Sequence, residues 1–306
     1  MKILVIGATG FLGSYLVDAL LMADHKVYGL ARNFPGLLCQ KSIENPNFTP
    51  YTADIIDINQ ILPVFNSVDV VYHLAYGSLP HTSNNNPHQD VKSNINGSLN
   101  VLEASRLSSI RKLIFVSSGG TVYGVPKVVP ISETHTTEPI CSYGITKLTI
   151  EKYIYLYRHL YGLNGFILRV ANPYGARQRL DSAQGVIPIF LRRAIDSEPL
   201  KIMGNGSIIR DFIHITDLTS ALLAVLRYCG HESIFNVGSG EGISLLSLVS
   251  KIEVLLERRL QVEFLNTRNF DVPTNVLSID KARSHLGWFP KVSIDDGLKK
   301  LYKTII

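Results

Sequence analysis

The sequence predicts an α/β protein, a doubly wound parallel sheet followed by a smaller C-terminal α/β cap. Three observations carry this. Short runs rich in Val, Ile, Leu and Phe alternate with longer amphipathic stretches through the first half. A glycine-rich turn, Gly7-Ala8-Thr9-Gly10-Phe11-Leu12-Gly13, falls between the first run and the first amphipathic stretch. After about Asn172 the alternation loosens and turns become frequent. Strand–helix–strand alternation implies right-handed crossovers between parallel strands, a pattern foreign to all-β and all-α domains.

Taken in order, Lys2–Ile6, Lys26–Ala31, Val70–Leu74, Leu113–Val116 and Phe166–Val170 are apolar on both faces, as buried parallel strands are. Another run ends at Tyr51-Thr52-Ala53. Between the runs the spacing predicts helices over Phe11–Ala23, Ile58–Phe65, Pro87–Leu107 and Ser142–Tyr161, with Gly162 placed to stop the last. Ser83-Asn84-Asn85-Asn86 reads as a polar loop. Beyond Asn172-Pro173, turns at Gly204-Asn205-Gly206 and Gly238-Ser239-Gly240 separate helices expected near Val186–Asp196, Thr216–Tyr228, Ser244–Glu257 and Asp280–Leu286. The expected division is one domain over residues 1–171 and a second mainly over 172–306, with an interleaved boundary.

Composition narrows the function. The chain has 306 residues, 46% of them hydrophobic, enough for a sizeable core. Glycine and proline, 23 and 14, are near ordinary usage, which excludes collagen-like, linker-like and disordered classes. The net charge of +5 comes without any basic run, so nucleic acid is not an expected partner. A phosphate-bearing small molecule suits a few well-placed arginines. Cys39, Cys141 and Cys229 are odd in number with no C-x-x-C pair, and read as reduced thiols of a cytoplasmic chain. No apolar run approaches the roughly 18 residues of a membrane helix. Met1–Gly7 is too short for a signal sequence. The nine histidines show no H-E-x-x-H and no Cys/His cluster, so no metal site is expected.

The glycine-rich turn has the chemistry of a dinucleotide site. Glycines let the backbone turn tightly and approach a pyrophosphate, which N–H groups at a helix N-terminus then hold. The spacing here is G-x-x-G-x-x-G. The second strand ends Leu30-Ala31-Arg32-Asn33, without the acid that would hold an adenosine 2′-hydroxyl. Arg32 either accepts a 2′-phosphate, favouring NADP, or is a surface arginine. Asp54 is placed to touch the adenine or to cap the next helix.

Tyr143-Gly144-Ile145-Thr146-Lys147 sets a phenol and an amine at i and i+4 on one helix face. A nearby lysine cation lowers a phenol's pKa and makes a usable base. A second Tyr-x-x-x-Lys match, Tyr123 with Lys127, contains Pro126 and is not expected to be helical. Val116-Ser117-Ser118-Gly119-Gly120-Thr121-Val122-Tyr123-Gly124 offers hydroxyls at the C-terminal end of a strand, where such sheets bind ligands. The series Tyr153, Tyr155, Tyr157 and Tyr161 reads as helix packing or a dimer face.

With these motifs the chain resembles the NAD-dependent epimerase/dehydratase family, extended short-chain dehydrogenase/reductases with a Rossmann-type domain, over essentially its whole length. Further matches are His73-Leu74-Ala75, Arg169-Val170-Ala171-Asn172-Pro173-Tyr174-Gly175, Arg210-Asp211-Phe212, Asn236-Val237-Gly238 and Arg268-Asn269-Phe270-Asp271-Val272-Pro273. The resemblance implies NAD or NADP held by Gly7, Thr9, Gly10, Phe11, Leu12 and Gly13, with Arg32, Asp54, Ile55, Leu74 and Ala75. It implies Tyr143 as base and Lys147 as the residue that holds the nicotinamide ribose and tunes the tyrosine. A hydroxyl from 117–121 would bond the reacting sugar oxygen. The usual serine falls on Gly119, which leaves Ser118, with Thr121 able to share the role. Asn172, Arg210, Arg268 and Asp271 match positions that hold a nucleoside-diphosphate sugar. The activity implied is 4-epimerisation of a UDP-sugar by transient C4 oxidation, with an NADPH-dependent 4-ketoreductase as alternative. Dehydratases of this family carry Asp-Glu before Val-Tyr-Gly, where this chain has Gly120-Thr121. The resemblance also implies a homodimer through the helices near 87–107 and 142–161.

Overall fold

The structure is a computed structural model, which describes residues 1–178, 185–267 and 271–306. In chain order its first strands are β1 (Lys2–Ile6), β2 (Lys26–Ala31), β3 (Phe48–Thr52), β4 (Val70–His73), β5 (Lys112–Ser118) and β6 (Gly165–Val170). They are followed by β7 (Asn172–Tyr174), β8 (Leu200–Met203), β9 (Ile209–His214) and β10 (Ile234–Val237). The last are β11 (Gly242–Ser244), β12 (Val262–Leu265) and β13 (Thr274–Asn275).

Seven strands form one sheet in the order β3-β2-β1-β4-β5-β6-β10, with every pairing parallel. Strand order reverses between β1 and β4, so the cleft beyond their C-terminal ends is where such a sheet takes a ligand. Both faces are buried. Leu16, Val17 and Leu20 of the helix Phe11–Met22 and Leu218, Leu222 and Val225 of the helix Ile215–Arg227 cover one face. Ile61, Val101, Ile150 and Ile154, from the helices Ile58–Phe65, Asn96–Leu107 and Ser142–Tyr161, cover the other. Each fully buried leucine or isoleucine contributes about 1.5–3 kcal/mol. β10 and the helix Ile215–Arg227 lie beyond residue 172 yet complete the large sheet. Lys112 of β5 ties that helix down, its Nζ donating to the carbonyls of Val225, Leu226 and Tyr228 at 2.9, 2.8 and 2.6 Å. Lysine at a helix C-terminus satisfies carbonyls that have no partner within the helix.

The cap is organised around β9. It pairs with β7 in parallel, β11 antiparallel and β13 in parallel, while β8 and β12 form a separate parallel pair. Ile187, Phe190 and Leu191 pack there against Leu248, Ile252, Leu298 and Leu301.

The helix Ser142–Tyr161 and its stop at Gly162 (φ +67°) match the sequence expectation. Pro87–Leu107 does not, because it is not one regular helix. An α-helical turn, Pro87–Asp90, passes through a π-helical turn, Val91–Ile95, into Asn96–Leu107. Side-chain spacing shows helix there but not the wider winding. The helix Ile294–Ile305 was not foreseen. Among the described residues no helix is long and apolar enough to cross a membrane.

Candidate active site

The glycine turn follows β1 and is fixed by contacts that no side chain could make. Gly7 has φ +88°, and a Cβ there would lie 2.8 Å from the backbone nitrogen of Ala75. At Gly13 a Cβ would lie 2.0 Å from the carbonyl oxygen of Gly7, so the helix can seat on the turn only without one. Gly10 is the N-cap of Phe11–Met22 and offers no side chain to its first N–H groups. That leaves donors at a helix N-terminus for an anion. Phe11 and Leu12 turn their side chains against the core, so their part toward a ligand is played by the backbone.

The cleft over this turn has a volume of about 310 Å³. Gly7, Thr9 and Gly10 form its floor, Leu74, Ala75 and Tyr76 one wall, and Arg32, Asp54 and Ile55 its far end. Asp54 does not cap the following helix. Asp57 does, accepting from Asn59 N at 3.0 Å. The cleft thus has what a dinucleotide needs, a turn open to close approach and free N–H groups beside it.

Tyr143 and Lys147 stand in the first turns of Ser142–Tyr161, where the helix meets the end of β5. Lys147 is 3% exposed and donates from Nζ to Val116 O at 2.7 Å. Burial pulls its pKa from 10.5 down to about 7, against the opposing pull of Glu151 and Asp90. The ammonium lies 3.9 Å from the Tyr76 ring centroid and 5.8 Å from that of Tyr143. The Tyr143 phenol is pushed up, above the ordinary range, by burial and by the Cys141 and Asp90 charges. The sequence reading had the lysine cation lowering it. In this geometry desolvation of the ring is the larger effect.

Several residues that sequence reasoning missed hold this helix start in place. Tyr76 stands edge-on to Tyr143 at 4.7 Å and hydrogen-bonds the Thr146 hydroxyl. Asp90, 2% exposed, accepts from Ser142 at 2.7 Å, Asn94 at 2.7 Å, Thr146 at 3.1 Å and the Ser78 hydroxyl. The π-helical turn brings Asp90 and Asn94 to the same side. Cys141 is the N-cap of the helix and supplies no side-chain cap. Ser83 Oγ and Asn84 Oδ1 accept from the N–H groups of Tyr143 and Ser142 instead, at 3.0 and 2.8 Å. The expected polar loop is therefore a cap delivered from elsewhere in the chain. Density of Ser and Asn was the available signal.

The hydroxyls of 117–121 separate cleanly. Ser117 Oγ donates to Glu151, which holds Arg169 in a buried ion pair at 2.6 Å. Tyr123 is also structural, its hydroxyl donating to Asn236 Oδ1 at 2.7 Å while accepting from Arg169. Thr121 Oγ1 is buried without a hydrogen-bond partner among the described residues. Ser118 ends β5, half-buried. A Cβ at Gly119 would lie 2.5 Å from Leu277 Cδ1 and 3.1 Å from Arg169 O, so the usual serine would need the Leu277 side chain to shift. A Cβ at Gly120 would meet nothing nearer than Asn172 Oδ1 and Ser118 Oγ, both at 3.9 Å. Asn172, Ser118 and the Thr121 turn thus share one open space. His73 stays outside it, with Nε2 on Ser98 at 2.8 Å and burial lowering its pKa to about 3.

On the cap, Asn172 Nδ2 donates to Asp211 O at 2.8 Å. Arg210 donates to Val272 O at 2.6 Å and pairs with Asp271 at 3.9 Å. Asn275 of β13 reaches across to Gly119 O at 3.0 Å, joining cap to hydroxyl turn. Arg268 lies outside the described residues. No cluster of potential metal ligands occurs among the described residues.

Fold and site together define a dinucleotide-dependent α/β enzyme with a large parallel sheet and a smaller cap built on β9. The chain belongs to the NAD-dependent epimerase/dehydratase family, which its residues 3–238 match. A dTDP-4-dehydro-6-deoxyglucose reductase of Escherichia coli is 34% identical, over 99% of this chain and 97% of that protein. The crystal structure of UDP-glucose 4-epimerase from Thermotoga maritima with UDP-glucose superposes with TM-score 0.93 at 34% identity, covering 100% and 98% of the two chains. UDP-glucuronic acid 4-epimerase from Bacillus cereus, in complex with UDP-glucuronic acid and NAD, gives 0.92 at 31% identity and 100% and 99% coverage.

Proposed function

We propose that this chain is a UDP-sugar 4-epimerase that works by transient oxidation at C4. The observation that supports the reading is the placement of Tyr143 and Lys147 at the end of β5, with Lys147 bonded to Val116 O and Tyr143 packed on Tyr76, a residue that lines the cleft. Tyr143 takes the proton of the 4-hydroxyl and later returns it. Lys147, as ammonium, lowers the cost of the phenolate. Ser118 and Thr121 orient the sugar oxygen. Arg210, held by Asp271 and Val272, neutralises the diphosphate, with Arg268 assigned the same role. Bound dinucleotide supplies a hydride acceptor and donor at nicotinamide C4. We assign the cofactor to residues 1–171 and the sugar nucleotide mainly to 172–306.

Tyr155, Leu156, Leu160 and Tyr161, exposed on the base-bearing helix, support a homodimer through that face. The free cysteines support a cytoplasmic location.

The test supplies UDP-sugars deuterated at C4, with or without an N-acetyl group, and follows products by NMR. Product inverted at C4 and still deuterated there is the expected result. The E. coli relative favours one second reading, reduction of a 4-keto-6-deoxy sugar. Stoichiometric NADPH oxidation on such a substrate, with no UDP-sugar inverted, would replace the epimerase by that reductase.

A further inference from the structure

We propose that the adenosine end of the cleft is built for a 2′-phosphate, so that this chain selects NADP(H) over NAD(H). The inference rests on the reading of the Gly7–Gly13 turn as a dinucleotide cradle. Its own evidence lies at the end of β2. A 2′-hydroxyl is selected by a carboxylate at that strand end, which accepts its proton and repels a phosphate. Here the last residue of β2 is Ala31, buried and lining the cleft with a methyl group. Asp54 is the one carboxylate among the described residues lining the cleft, and its Oδ1 already accepts from Ile56 N at 3.1 Å.

Arg32 follows directly. It is exposed at the cleft mouth and makes no ion pair or hydrogen bond with the described residues. A guanidinium presents a planar fork of donors matched to phosphate oxygens and stays charged at any working pH. Its position relative to the pyrophosphate cradle is fixed from both sides. Before it, the N–H groups of Gly7 and Ala8 donate to Leu30 O at 2.8 and 3.3 Å, locking the turn to the end of β2. After it, Leu37 N donates to Thr9 O at 3.0 Å, folding the next segment onto the same turn. Arg32 therefore extends from a short, doubly anchored bridge into the lining of the cleft that Gly10 also lines.

Calorimetric titration of the purified chain with NADP⁺, NAD⁺, adenosine 2′,5′-bisphosphate and 5′-AMP tests this without relying on turnover. One charge-assisted phosphate contact corresponds to roughly 10- to 150-fold in affinity. NADP⁺ should bind tighter than NAD⁺ by that factor, and the bisphosphate tighter than 5′-AMP likewise. Arg32→Ala, at an exposed position, should erase the preference while leaving NAD⁺ within about twofold. Ala31→Asp should reverse it. NAD⁺ binding as tightly as NADP⁺ in the parent chain, or Arg32→Ala weakening both alike, overturns the proposal. Failure of all four ligands to bind would instead overturn the cradle itself.

Discussion

The two ends of the proposed site, the cofactor end and the sugar end, are built in different ways. At the cofactor end the geometry is backbone geometry. Gly7 and Gly13 are fixed by distances to backbone atoms of Ala75 and Gly7, and β1, β2 and β4 are neighbours in one parallel sheet. At the sugar end the geometry belongs to side chains. β9 gathers strands from residues 172–174, 242–244 and 274–275, and Arg210 is aimed by Asp271 and a carbonyl of the same distant segment. A site of the first kind tolerates almost no substitution where the chain turns. A site of the second kind changes its ligand whenever a few cap side chains change.

The comparison breaks most visibly at the base. Tyr143→Phe should lower turnover by about 10²–10⁴-fold, with sugar-nucleotide and dinucleotide affinities nearly unchanged. Tyr123→Phe should do the reverse, retaining turnover but losing about 1–3 kcal/mol of stability by leaving Asn236 and Arg169 short of a partner. Steady-state kinetics and denaturant midpoints on both variants check the pair. The opposite ranking would place the base on the wrong tyrosine.

A second expectation concerns Lys147. Its folded pKa, about 7, lies below the unfolded value of 10.5, so between these values the unfolded chain binds the extra proton. Stability contributed by this group is therefore lowest below about pH 7 and rises with pH toward 10. Measured against Lys147→Met, which cannot titrate, the parent should gain up to about 1.4 kcal/mol per pH unit in that window. A difference that stays flat from pH 7 to 10 would mean the lysine keeps its ordinary pKa.

At the cap the effect should be smaller and confined to one ligand. Arg210→Ala should weaken a nucleoside-diphosphate sugar by roughly 10- to 150-fold and leave the dinucleotide alone. Equal loss for both ligands would show that β9 supports the whole sheet, and the contrast between the two ends would fail.

Much of the backbone geometry at the proposed cofactor end was legible in the sequence, because its determinants are local. A glycine turn between strand and helix, and Tyr143 with Lys147 on one helix face, are set by spacings of six residues or fewer. β1, β2 and the helix Ser142–Tyr161 match their expected bounds for the same reason. What stayed hidden is tertiary. Asp90 gathers Ser78, Asn94, Ser142 and Thr146 only after the helix has wound through its π-helical turn. Ser83 and Asn84 look like loop residues until they meet the N–H groups of a helix nearly sixty positions away. Tyr76 carries no motif, and its role arises from packing against Tyr143. The upward shift of the Tyr143 phenol likewise comes chiefly from burial, with Cys141 and Asp90 adding to it, and burial depends on what packs around the ring.

The close approach of Leu277 to Gly119 has a consequence for substitution. The hydroxyl turn and the cap strand share a joint in which one partner's missing side chain is filled by the other's branched one. Serine at 119 alone should therefore displace the Leu277 side chain. Paired with a smaller residue at 277, it should be accommodated. The two positions are coupled, so the room for a side chain at 119 is set by the residue at 277.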